Sequence, residues 1–324
     1  MYRKFYCLDK RPFDLAPVGG LVYLSDAHRE GLAILRYGII ADKGLLLLTG
    51  GVGAGKTTLL NTLLNMLQDG IEVCLLNNPK MTRNEFFYYL GAKLGIKGNG
   101  NKSQFILEFS ELLGKFQAEK KKLLLIVDEA QAFPINLLEE IRLLSNHAEE
   151  RNVFSIFLIG QPELQEKLAS PRLLPLRQRI GVSYHLEPLT REETSQYIEY
   201  RLKMAGAAKA SIFTEKAKEC IYEASRGTPR LINVICDHTM VLGFTREISL
   251  LDQVNIIECL EAVRLPGEKK LQVSRSVDSS SGTTALEIGK YKKAKLLFFI
   301  TLALIGAGGF IYFGYLQGWL AGIY

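Results

Sequence analysis

With 324 residues, 48% of them hydrophobic, the chain is too long for one small domain and has enough apolar material for a sizeable core. Its net charge of +6 is uneven: eight basic and three acidic residues between Arg264 and Lys295 hold five of those charges. The near-neutral main body gives no strong nucleic-acid signal, and five scattered cysteines form neither a disulfide framework nor a closely spaced metal site.

The first residues, Met1 to Phe5, have no long apolar core behind their charges, so they do not read as a secretory signal. Pro12, Pro17, Gly19 and Gly20 make the opening irregular. Ser25 then caps a helix predicted over about 26–37. Leu45, Leu46, Leu47, Leu48 and Thr49 predict a strand, and Leu59, Leu60, Leu63, Leu64 and Leu67 recur at helical spacing. Between them lie Gly50, Gly51, Val52, Gly53, Ala54, Gly55, Lys56 and Thr57, followed by Thr58. This is the P-loop pattern in its strand–loop–helix setting. Glycines let successive N–H groups turn inward on phosphate oxygens, and the helix beginning near Lys56 adds its positive dipole end. Lys56 is expected to reach the β- and γ-phosphates, and Thr57 to ligate Mg²⁺.

A short strand at 72–76 follows, then helical patterns near 83–94 and 104–118, separated by Gly98-Asn99-Gly100-Asn101. Leu123 to Val127 is uninterrupted apolar sequence, as suits a strand buried on both faces of a parallel sheet. It ends in Asp128-Glu129, at the edge where open α/β sheets place ligands. Asp128 is read as a Mg²⁺ ligand and Glu129 as the base that takes a proton from attacking water. After a helix near 137–148, a strand over 153–159 ends in Gly160-Gln161-Pro162-Glu163-Leu164, and the Gln161 amide is placed to orient that water. A fifth strand is predicted over 182–186. Five strands alternating with helices give an α/β fold with a parallel, doubly wound sheet.

From Leu189 the sequence turns wholly helical. Thr190 and Glu193 form a capping box, and helices are predicted over 191–204, 215–225, 229–242 and 253–263. Gly206 and Gly227 stop the first two, and Pro229 opens the third. The expected division is a nucleotide-binding core over 1–189 and a helical lid over 190–265.

This order of parts resembles the AAA+ ATPases, and more closely the general secretion pathway protein A (ExeA-type) family. The stretches that carry the likeness are Lys10-Arg11-Pro12-Phe13, Tyr23-Leu24-Ser25 with His28-Arg29-Glu30, Gly50 to Thr57, Asp128-Glu129-Ala130-Gln131, Leu143-Leu144-Ser145-Asn146, Gly160 to Leu164, Leu176-Arg177-Gln178-Arg179-Ile180 and Gly227-Thr228-Pro229-Arg230. The resemblance implies ATP hydrolysis with Mg²⁺ in a homo-oligomer, with a ring expected. It also implies that Arg230 is the lid's sensor arginine and that Arg179 reaches a neighbouring subunit's nucleotide, with Arg177 as the rival. Members often carry a peptidoglycan-binding domain after a membrane helix; this sequence ends at Tyr324, which speaks against cell-wall binding by this chain.

Residues 266–295 read as a basic flexible linker, with Ser279-Ser280-Ser281-Gly282 at its centre and Lys290, Lys292, Lys293 and Lys295 at its end. The run 296–316 is uncharged and, at about 32 Å as a helix, matches a hydrocarbon layer of roughly 30 Å. Lysines on its amino side alone predict a single-pass protein of the bacterial inner membrane, with the ATPase in the cytoplasm and 317–324 as a short external tail. The expected function is a membrane-anchored AAA+ ATPase that assembles or energises an envelope export machine through a membrane partner protein. A DNA-transaction ATPase of the transposition-helper kind and a nucleotide-gated scaffold with little turnover are the alternatives.

Overall fold

The framework is five strands: β1 (Leu45–Gly50), β2 (Ile71–Leu76), β3 (Lys122–Val127), β4 (Phe154–Gly160) and β5 (Ile180–Leu186). They pair in parallel in the order β2-β3-β4-β1-β5, with Leu45 opposite Ile156 and Leu125 opposite Ile156 on β4's other side. The three central strands are the most apolar, and every residue of β1 and β4 is buried. Edge strands β2 and β5 are only partly covered, which explains the weaker apolar pattern of β5. The computed structural model describes residues 2–14, 22–67, 70–77, 81–96, 101–207 and 212–263.

Alternation along each strand sends side chains to two faces. On one face, α2 (Asp26–Ile40) and α3 (Lys56–Asn65) set Leu35, Ile39, Leu59 and Leu63 against Leu46, Leu48, Ile126 and Phe157. On the other, α4 (Arg83–Leu94), α5 (Lys102–Ala118) and α6 (Ile135–Arg151) bury Phe86, Phe87, Phe105, Phe109 and Leu137 against Leu45, Leu47 and Leu125. Glu140 of α6 is buried and paired with Arg83 and Lys102, so one carboxylate ties three helices together. Two short helices, α7 (Glu163–Leu168) and α8 (Leu174–Arg177), follow β4; neither was visible as a periodic pattern.

The lid consists of α9 (Arg191–Met204), α10 (Glu215–Ser225), α11 (Pro229–Thr245) and α12 (Gln253–Val263), around a core of its own. The capping box of Thr190 and Glu193 is present, and Ser25 caps α2 through the His28 N–H. The end of α10 begins one residue before Gly227: Arg226 itself takes a left-handed conformation (φ 51°).

Residues 2–14 pack with the lid, across the expected boundary at 189/190. Tyr2, Tyr6, Leu8 and Phe13 join the lid's core, and α1 (Tyr2–Phe5) lies on α11. The Tyr2 hydroxyl donates to Asp237 (2.5 Å), the Tyr6 hydroxyl to the Ile248 carbonyl (2.9 Å), and Arg201 donates to the Pro12 and Asp14 carbonyls at 2.6 Å each. These apolar residues alternate with charged ones, and the face left open for them lies on the lid.

The linker 266–295, the span 296–316, the tail 317–324 and residues 98–100 of the glycine loop lie outside the described residues. Among the described residues no helix is long and apolar enough to cross a membrane.

Candidate active site

The carboxyl ends of β1, β3 and β4 and the start of α11 surround a cavity of about 470 Å³, the size of a small-ligand site. Val52, Gly53, Gly55, Lys56, Thr57, Thr58, Glu129, Gln161 and Arg230 all line it, so residues 178 positions apart meet in one place. Ala54 is buried beneath the loop, and Asp128 sits half-buried next to Glu129.

The loop is built for close approach. Gly53 and Gly55 have φ +77° and +105°, the region that side chains disfavour. A Cβ on Gly53 would lie 2.6 Å from the Arg230 Cβ, and one on Gly55 would lie 2.8 Å from His28 Nε2. A Cβ on Gly50 would lie 2.9 Å from the Leu186 carbonyl oxygen, whereas one on Gly51 would face open space. The Lys56 ammonium donates to the Gly50 (2.8 Å) and Gly51 (3.0 Å) carbonyls. Burial lowers its pKa, and the carboxylates of Glu129, Asp128 and Glu163 work in the opposite direction. Burial likewise raises the Asp128 carboxyl above its ordinary range, against the Glu129 N–H that donates to it at 2.9 Å.

Glu129, two residues beyond β3, takes a left-handed conformation (φ 51°, ψ 39°), rare for a residue with a Cβ, and starts the tight turn Ala130–Ala132. Its Oε2 accepts from the side-chain amides of Gln131 (2.5 Å) and Gln161 (3.2 Å). The expected base and the expected water-orienting amide are therefore direct neighbours. Beneath them, the buried Thr49 hydroxyl lies 2.8 Å from His185 Nδ1 and accepts from Gln165 at 2.8 Å.

Arg177 and Arg179 do not reach this cavity. Arg177 is exposed at the end of α8, and Arg179 donates to Ser145 Oγ at 3.2 Å. Residues with no assigned role complete the cavity wall: Tyr23, His28, Tyr197, Arg201 and Asn233. Tyr197 donates to Asn233 (2.8 Å) and accepts from Arg201 (3.0 Å), which fixes its ring. His28 is buried with Nδ1 2.7 Å from Ser25 Oγ, and burial lowers its pKa. Apart from the motif positions of Tyr23 and His28, their sequence carried no signal, because each is defined by a partner on another element.

The residues present fit a phosphate chain and its divalent cation. The positive-φ glycines leave a cradle a Cβ would fill, a lysine ammonium is buried at its rim, and a threonine hydroxyl and a half-buried carboxyl flank it. Thr57 and Asp128 are the oxygen donors suited to Mg²⁺.

A family model described as "AAA domain" matches residues 40–168. Over 250 residues the chain is 39% identical to general secretion pathway protein A of Aeromonas hydrophila, covering 76% of this chain and 45% of that protein. It thus spans less than half the length of that relative. Among solved structures it is similar to Drosophila ORC bound to DNA (TM-score 0.61, 15% identity, 82% of this chain and 66% of that one). It is also similar to Cdc6p from Pyrobaculum aerophilum (TM-score 0.59, 14% identity, 78% and 70%). At such identities the likeness is one of fold.

Proposed function

Because the chain belongs to the general secretion pathway protein A type of AAA+ ATPases, we propose that it hydrolyses ATP and uses the cycle to assemble or energise a bacterial envelope export system. One observation carries the reading: Lys56, Glu129, Gln161 and Arg230 converge on a single cavity from four separate elements. In the proposed reaction the loop N–H groups and Lys56 hold the β- and γ-phosphates. Glu129 accepts the proton of the attacking water, Gln161 orients that water, and Arg230 brings the lid to the γ-phosphate. A Mg²⁺ ion held by Thr57 and Asp128 would neutralise charge on the phosphates.

Arg179 completes the site of a neighbouring subunit in a homo-oligomer, with Arg177 as the rival. The motif stretch Leu176 to Ile180, in which both arginines lie, supports this reading. The apolar run 296–316, with lysines on one side only, supports an anchor in the inner membrane and a cytoplasmic ATPase.

A nucleotide titration beside a phosphate-release assay tests the reading. Lys56→Ala is expected to lose nucleotide binding, and Glu129→Gln to bind ATP without hydrolysing it. Wild-type turnover by Glu129→Gln overturns the base assignment.

A further inference from the structure

Gln131 lies outside the cavity lining, yet its side chain spans two of the motifs that form it. Its Nε2 donates to Glu129 Oε2 at 2.5 Å, and its Oε1 accepts the Gln161 backbone N–H at 3.1 Å. The same carboxylate oxygen accepts from the Gln161 side chain at 3.2 Å. Gln131 therefore ties the end of β3 to the end of β4.

Two further features fix that tie. Lys167 of α7 reaches back over the turn and donates to the backbone carbonyls of Gln131 (2.5 Å) and Phe133 (2.8 Å). Gly160 leaves the room the amide needs, since a Cβ there would lie 2.8 Å from Gln131 Oε1. The left-handed backbone of Glu129 is a conformation that persists only where its surroundings enforce it.

We infer that Gln131 is a positioning residue for hydrolysis: it holds Glu129 Oε2 in register with Gln161, so that the other oxygen, Oε1, takes the proton of the attacking water. The inference rests on the base role given to Glu129 above. It assigns Gln131 no contact with nucleotide, so ground-state binding does not depend on it.

The test compares full-length wild type with Gln131→Met, Gln131→Glu and Glu129→Gln. Phosphate release gives kcat and KM, a fluorescent ATP analogue gives affinity, and circular dichroism gives folding. Gln131→Met keeps length and loses both hydrogen bonds; kcat is expected to fall on the order of 100-fold, while KM and analogue affinity stay within about threefold of wild type. Gln131→Glu still accepts the Gln161 N–H but sets a second carboxylate against Glu129, so its kcat is expected to be lower still. If Gln131 merely anchors the β4 turn, Gln131→Glu keeps near-wild-type turnover, and that result overturns the inference. Wild-type kcat in Gln131→Met, with Glu129→Gln inactive, also overturns it and leaves the base reading standing. Turnover by Glu129→Gln overturns both. Retained analogue binding and a native spectrum show that any kcat loss comes from a folded protein. Should Gln131→Met fail those checks, Gln131→Asn, whose amide is too short to reach both partners, is expected to show the same loss of kcat at unchanged affinity.

Discussion

The sheet half of the chain and its helical half hold themselves together by different means. In the sheet half the central strands carry mostly apolar side chains, and apart from groups such as Glu140 with Arg83 and Lys102 the polar side chains gather at the strands' carboxyl ends. In the lid, polar groups run through the body: Tyr197 to Asn233, Arg201 to the Pro12 and Asp14 carbonyls, and Lys218 to Glu199 and Glu215. The two meet where the Arg230 N–H donates to the Gly53 carbonyl (3.4 Å), and where Leu189 crowds Gly227. The sheet half sets its candidate site groups on an apolar, closely packed scaffold. The lid delivers one arginine by the placement of a whole body.

If chemistry resides at the strand ends and in a neighbour's arginine, the largest effect comes from Arg179→Ala. Hydrolysis by its homo-oligomer is expected to fall by about 10³- to 10⁵-fold with ATP affinity nearly unchanged. Mixing it with Lys56→Ala protein should restore part of the activity, and Arg177→Ala should turn over normally. No recovery in a mixture shown to co-assemble removes the trans arginine.

The junction is tested next. Gly53→Ala forces a left-handed alanine, at about 1–2 kcal/mol, and drives its Cβ toward Arg230, so ATP affinity is expected to fall about tenfold or more. Gly51→Ala, where the space is open, should bind within about twofold of wild type in the same titration. Equal losses in both would mean that loop flexibility, and not lid approach, governs binding.

Within the lid, Arg201→Ala removes charged donors from two backbone carbonyls and from Tyr197. A loss of about 2–3 kcal/mol in unfolding free energy is expected from urea melts. A change below about 0.5 kcal/mol would mean that apolar packing alone holds the amino-terminal segment to the lid.

The smallest effect concerns pH. Burial lowers the His28 pKa, with the Glu193 carboxylate opposing it. Below the ordinary value of about 6.5 the unfolded chain binds a proton that the folded chain refuses. This contribution to stability is therefore full above about pH 6.5 and declines as pH falls toward the folded pKa. Urea midpoints at about pH 7.5 and 5.5 should differ less in His28→Gln than in wild type; an unchanged difference excludes His28 as the source.

The three central strands were legible because strongly apolar runs closed by glycine or acids have few other structures open to them. Strand bounds shifted by a residue or two, as with β5, which begins at Ile180. The loop, Asp128-Glu129 and Gln161 were legible because spacing alone sets their chemistry. Tyr2, Tyr6, Leu8 and Phe13 were not, since they lack periodicity and their partners stand as far off as Ile248. Gln131 was read as part of a motif, but its bridging function depends on β4 lying beside β3, which no local pattern states.

The packing of residues 2–14 into the lid bears on the order in which the chain is made. The ribosome produces this segment well before the surface that receives it, α9 to α12. At about 5–20 residues per second the segment waits roughly 10–50 s before its apolar side chains can dock. The sheet half is synthesised within that interval, so its five strands precede the docking of this segment on the lid. The lid accordingly cannot be cut out as a module beginning at Thr190: such a fragment leaves behind Tyr2, Tyr6, Leu8 and Phe13, a part of its own interior.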